Sequence, residues 1–257
     1  MKKILAFTLA EVLIVIGILG VVAALTIPTL NSEAGSKEKV TRLKKSYSVL
    51  TDAFDRMMAD MGPLDEIYGT LETNLSENVA TKMASYMKTS STCADAVGTA
   101  NDCSANTVTA YSTTGTAESN TINKYPGFVL TDGTSVSFNL GAKCPPDSAV
   151  SGVPGNTNVC GMVYVDVDGK DKSKNEWGKD VFAFYVTTDR ITPVGLEGDT
   201  NIDATGSSTN CIGAATKIGC TGWVITNGNE DYLNTNYASC TKSGGLDWAK
   251  GRTACTK

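Results

Sequence analysis

The stretch "DVDGKDKSKNEWGKD", residues 166–180, holds the densest set of ligand-type side chains in the chain: Asp166, Asp168, Asp171, Asn175 and Asp180. Ca²⁺ takes roughly six to eight oxygen ligands, and a turn rich in Asp and Asn supplies that type. The spacing departs from an EF-hand, and Lys170, Lys172 and Lys174 bring positive charge into the turn. A polar, solvated turn is the competing reading, and calcium is the only cofactor the residues suggest. Other chemistry is poorly served. The chain has no histidine, which removes the usual general base, the Ser-His and Cys-His pairs and the commonest metal ligand. It has no Gly-rich phosphate loop and no GxSxG. Enzymatic activity is not expected.

Eight cysteines follow a different logic: Cys93, Cys103, Cys144, Cys160, Cys211, Cys220, Cys240 and Cys255. No CxxC occurs, so the tight ligand pairs of a zinc site are missing and disulfides are expected. Sequential pairing, 93–103, 144–160, 211–220 and 240–255, would close four short polar loops. Each closure contributes on the order of 3 kcal/mol in the chain-entropy model.

One more acid stands out. Glu11 is the only ionisable residue within residues 7–30, an otherwise apolar run. As a helix these 24 residues reach about 36 Å, against about 30 Å of bilayer hydrocarbon. A cleaved export signal would place small residues Val22, Ala23 and Ala24 before a cut at Leu25. A plain signal anchor would leave Glu11 at the cytoplasmic interface. Charge counting opposes that orientation. Only Lys2 and Lys3 precede the run, whereas Lys37, Lys39, Arg42, Lys44 and Lys45 follow it.

The leader and the run together support a third reading. A short basic leader, then Phe7, Thr8, Leu9, Glu11, Val12 and Leu13, then an apolar stretch with Pro28, resembles the N-terminal signal of type IV pilins and type II secretion pseudopilins. The resemblance implies cleavage by prepilin peptidase between Ala6 and Phe7 and N-methylation of Phe7; Ala6 stands where the family usually has glycine. It implies that Glu11 acts in assembly, facing the N-terminal amine of a neighbouring subunit, and that Pro28 bends the helix. It also implies single-pass insertion in the bacterial inner membrane, with the N-terminus cytoplasmic and the head periplasmic. A periplasmic or cell-surface filament would follow. Some pseudopilins bind Ca²⁺ in a loop beside the sheet. Physics agrees on Glu11: a charge in hydrocarbon costs roughly 3 kcal/mol or more, so it needs a partner or an interface.

The expected fold is α+β: a long N-terminal helix packed on an antiparallel β-sheet head with disulfide-stapled loops. The expected divisions are a leader over 1–6, a transmembrane and assembly helix over 7–30, an amphipathic continuation over 31–62, and a head over 63–257. A polar break is expected from Asn31 to Ser36. Beyond it Val40, Leu43, Tyr47, Leu50, Phe54, Met57 and Met61 recur at helical spacing until Gly62-Pro63. A second helix is expected near Ser76 to Lys88 with Ser76 as cap, then an irregular stretch to Asn123. Phe128–Leu130 and Val136–Leu140 alternate about Asp132-Gly133 and predict a hairpin. "GMVYVDVDG", "VFAFYVTTD", "RITPVG" and "GWVITNG" predict further strands. The closing segment reads as loop.

The function implied is a structural subunit, a minor pilin or pseudopilin. Its partners would be prepilin peptidase, other pilin or pseudopilin subunits and inner-membrane lipid. The alternative is a membrane-anchored surface binding module, an adhesin that does not polymerise. A net charge of −5 gives no reason to expect nucleic acid as a partner.

Overall fold

The computed structural model describes residues 8–68, 74–93, 102–104, 108–109, 119–120, 122–144, 158–170, 174–196, 199, 211 and 217–233, with only the backbone assignment for 25–33 and 119–120. The chain forms two compact units, residues 1–38 and 39–257. Helix α1, Leu9–Met61, contributes to both.

In the first unit every residue from Thr8 to Val22 is exposed. Leu9 is 80% exposed and Ile14 and Val21 each 63%, so no face of this segment finds cover. Two expectations are corrected here. The assignment runs unbroken through residues 31–36, because one mid-helix glycine, Gly35, costs only about 1 kcal/mol relative to alanine. Pro28 lies within the helix, and its side chain is outside the described residues. Among the described residues, no helix is long and apolar enough to cross a membrane. Side chains of the apolar run are described for residues 8–24, which are 17 residues including Glu11. They reach about 26 Å, short of about 30 Å of hydrocarbon.

The second unit begins with the amphipathic stripe. Val40, Leu43, Leu50, Phe54 and Met57 are buried, with Tyr47 and Met61 partly so. The helix stops at Gly62, whose φ of 92° suits glycine and whose N–H donates to the Met58 carbonyl at 2.8 Å. Short helix α2, Leu64–Tyr68, and α3, Leu75–Ser85, follow. Among the described residues nine strands succeed them: β1 Thr89–Cys93, β2 Val108–Thr109, β3 Ser119–Asn120, β4 Gly127–Leu130, β5 Ser135–Leu140, β6 Val159–Asp166, β7 Asn175–Glu176, β8 Val181–Thr187 and β9 Ile191–Pro193. Helix α4, Thr221–Asn227, follows, between single 3₁₀ turns at Ile218–Cys220 and Asp231–Leu233.

The main sheet is fully antiparallel, in the order β1-β4-β5-β6-β8-β9. A small sheet, β3-β2-β7, pairs β2 and β7 in parallel. The β4–β5 hairpin turns at Asp132-Gly133 as expected, with Gly133 at φ 87°.

Both faces of the main sheet are covered at β8. Phe182, Phe184 and Val186 of β8 join α1 and α3 in one core, where Tyr47 stacks on Phe184 with ring centroids 5.3 Å apart. Val181, Ala183 and Tyr185 face the opposite way, into a second core with Val108, Trp177, Val194 and Ile218. All seven residues of β8 are therefore buried, which is what its continuous apolar run requires.

Three local expectations differ from the structure. Ser76 is not the cap of α3. Asn74 occupies that position without a side-chain bond, and Ser76 Oγ accepts the Leu140 N–H at 2.9 Å. "TSSTC" is a strand despite its mostly exposed side chains, because its backbone pairs with β4. "GWVITNG" is helix α4. Trp223 and Val224 are buried, and Gly222 donates to the Val194 carbonyl at 2.8 Å. A Cβ on Gly222 would lie 2.6 Å from the Gly195 carbonyl oxygen. That close approach, with Gly228 closing the helix at φ 68°, overrides the strand preference of the β-branched residues.

Candidate functional site

Two places bear on function. The first is the start of α1. Thr8 precedes the helix, and its backbone N–H and hydroxyl both donate to Glu11 Oε2 at 2.8 Å. The Glu11 N–H returns a bond to Thr8 Oγ1 at 3.3 Å. This is a capping box: two otherwise orphaned donors of the first turn are satisfied reciprocally. In the single chain Glu11 is thus already occupied, and its carboxylate is folded back toward the chain start. Thr-x-x-Glu ahead of an apolar run is a sequence signal for this cap, and the reading of Glu11 as an assembly residue passed over it. Ala6 and Phe7 lie outside the described residues.

The second place is the connection from β6 to β8. Asp166 ends β6 and is 1% exposed. Its Oδ1 accepts the Gly169 N–H at 2.9 Å, and Gly169 takes a φ of 90° that favours glycine. Asp180 precedes β8. Its Oδ1 accepts the Glu176 N–H at 2.5 Å, and its carbonyl accepts the Val167 N–H at 2.9 Å. These bonds fold the connection so that Asp166, Asp168 and Asp180 converge. Lys39 of α1 reaches in, with Nζ 3.2 Å from Asp168 and 3.6 Å from Asp180.

Electrostatics here follows burial. Desolvation pushes Asp166 up to about 8, and the charges of Asp168 and Asp180 push the same way. Desolvation also raises Asp180, to about 6, against the Glu176 N–H and the Lys39 ammonium, which favour its charged form. Asp166 therefore holds a proton at neutral pH. That proton matters for bonding: Asp166 Oδ2 and Asp168 Oδ1 are buried and lack a donor among the described residues. A protonated Asp166 is the donor that a pair of carboxyl groups requires.

Of the expected calcium ligands, the structure brings together Asp166, Asp168 and Asp180. Asn175 sits on β7, its backbone in register with Val108. Asp171 lies outside the described residues. No group of three or more Cys, Asp or Glu among the described residues is arranged to hold a metal ion. Within the described residues the cluster meets the Lys39 ammonium, which lies against Asp168 and Asp180. Sequence reading missed Lys39 here, which is 129 positions from Asp168 by their numbers (168 − 39) and becomes its ion-pair partner only through tertiary packing.

The same packing consumes most of the basic segment. Arg42 Nη1 donates to the Val167 carbonyl at 3.3 Å, and Lys45 pairs with Asp132 at 2.7 Å. Three of the five cations that opposed the expected orientation are thus matched within the folded head.

Three disulfides staple the head as the sequential pairing predicts: Cys93–Cys103, Cys144–Cys160 and Cys211–Cys220, with Cα separations of 5.9, 4.7 and 4.4 Å. Cys240 and Cys255 lie outside the described residues.

No protein-family model matches this chain, and neither a curated protein nor a solved structure matches it.

Proposed function

We propose that this chain is a structural subunit of the type IV pilin or pseudopilin kind, assembled through its N-terminal helix. One observation carries the reading: a helix whose large apolar side chains from Leu9 to Val22 are all exposed. Full burial of such a side chain is worth about 1.5–3 kcal/mol. A helix apolar on every side belongs in lipid or among other helices. Before assembly, inner-membrane lipid covers it, and residues 25–30 must complete any span. In a filament, copies of the same helix cover one another. Glu11 then exchanges its bonds to Thr8 for the free amine of a neighbouring copy, after cleavage between Ala6 and Phe7. The head plays a structural part, not a catalytic one.

Two measurements test this. Mass spectrometry of the mature chain should find methylated Phe7 at its N-terminus; a start at Leu25 would sink the proposal. Glu11→Ala should cut incorporation into filaments at least about tenfold, with the cleaved monomer still accumulating. Unchanged display of a non-polymeric chain would favour the anchored binding module instead.

A further inference from the structure

We propose that Lys39 is the resident cation of the Asp166–Asp168–Asp180 cluster and acts as a latch, holding the first turn of α1 within the head unit onto the β6–β8 connection. Lys39 is the first residue of that compact unit. Its ammonium bridges two carboxylates at 3.2 and 3.6 Å, and one of them, Asp180, has a side chain only 3% exposed. Buried pairs of this kind are screened weakly by salt. Losing one partner strands the other charge. The contact is reinforced one turn along: Arg42 Nη1 reaches the carbonyl of Val167, which stands between Asp166 and Asp168 in the chain. Two cations of one helical turn therefore grip one short connection. Directly beside them, Val40 and Leu43 bury the first apolar residues of the stripe. The latch sets where the helix begins to be held by the head. It stands whether or not the chain polymerises.

The grip has a chemical corollary. The ammonium already occupies two of the three carboxyl groups that an external divalent cation would need there. The experiment uses the full chain in detergent, followed by hydrogen exchange, with Lys39→Met to keep the apolar stem and remove the charge. Amides of residues 40–46 should exchange about tenfold faster, while those of β6 and β8 keep their protection. Lys39→Arg, which keeps the charge, should retain protection throughout. Calorimetric titration of the unaltered chain with CaCl₂ should show no binding. Three results overturn the latch. One is unchanged exchange over 40–46 in Lys39→Met. Another is equal loss of protection across β6 and β8, which would make Lys39 a general stabilising contact. The third is calcium binding by the unaltered chain.

Discussion

Residues 9–22 and residues 40–61 of helix α1 are both rich in large apolar side chains, yet their surroundings are opposite. In the first segment the apolar residues follow one another without a polar face, and all are exposed. In the second they return every three or four positions, and one stripe of them is buried against the sheet while Lys44, Ser48, Asp52 and Asp55 stay outside. The difference lies in period, not in hydrophobicity. A stripe can be satisfied by one partner on one side, and the chain's own sheet is that partner. A helix apolar all round needs cover on all sides, which a single fold of this size does not provide.

The contrast is broken most directly by truncating one side chain in each segment. Phe54→Ala should lower the stability of the head by about 3–5 kcal/mol in denaturant melts of the full chain, since Phe54 is wholly buried. Ile16→Ala, at a position 55% exposed, should leave it within about 0.5 kcal/mol. Equal effects would contradict the exposure of the first segment.

A smaller effect tests the clasp at the start of the second segment. Asp166 keeps its proton up to about pH 8 in the folded head, against an ordinary value of 3.8. The folded chain therefore binds more protons than the unfolded one between those limits. Stability from this group is highest at the acid end, falls as pH rises through that window, and levels off above it. Asp166→Asn preserves a neutral donor and removes the titration. It should stabilise the head by on the order of 2 kcal/mol at pH 8, change little near pH 4, and flatten the pH dependence of melting. A pH profile parallel to that of the unaltered chain would contradict a protonated Asp166. The smallest effect belongs to the surface: Lys45 is 61% exposed in its pair with Asp132. Lys45→Ala should cost less than about 1 kcal/mol, and the difference should vanish in about 1 M salt.

Several elements could be read from residue order alone because they rest on local periodicity and turn chemistry. The stripe from Val40 to Met57, its stop at Gly62-Pro63, and the hairpin about Asp132-Gly133 are of this kind. So are the strands of "GMVYVDVDG", "VFAFYVTTD" and "RITPVG". The three described disulfides followed from short loop closures. Strand β1 escaped notice because its side chains alternate no hydrophobicity; its stability comes from backbone pairing with β4. Helix α4 runs against local preference: β-branched residues favour strands in isolation, whereas its conformation is set by Gly222 packing on the Gly195 backbone. The aspartate grouping was legible as proximity in sequence, but its counter-ion was not.

Residue order by itself determined that the chain begins with a helix in need of external cover, continues as a helix in need of one partner, and ends in a cysteine-stapled antiparallel head. Those properties are set by composition and period, which act within a few residues. Tertiary structure alone decided that both faces of β8 are buried and that Lys39 neutralises aspartates far along the chain. Each of these depends on desolvation and charge proximity between groups brought together by packing, and no local pattern encodes that.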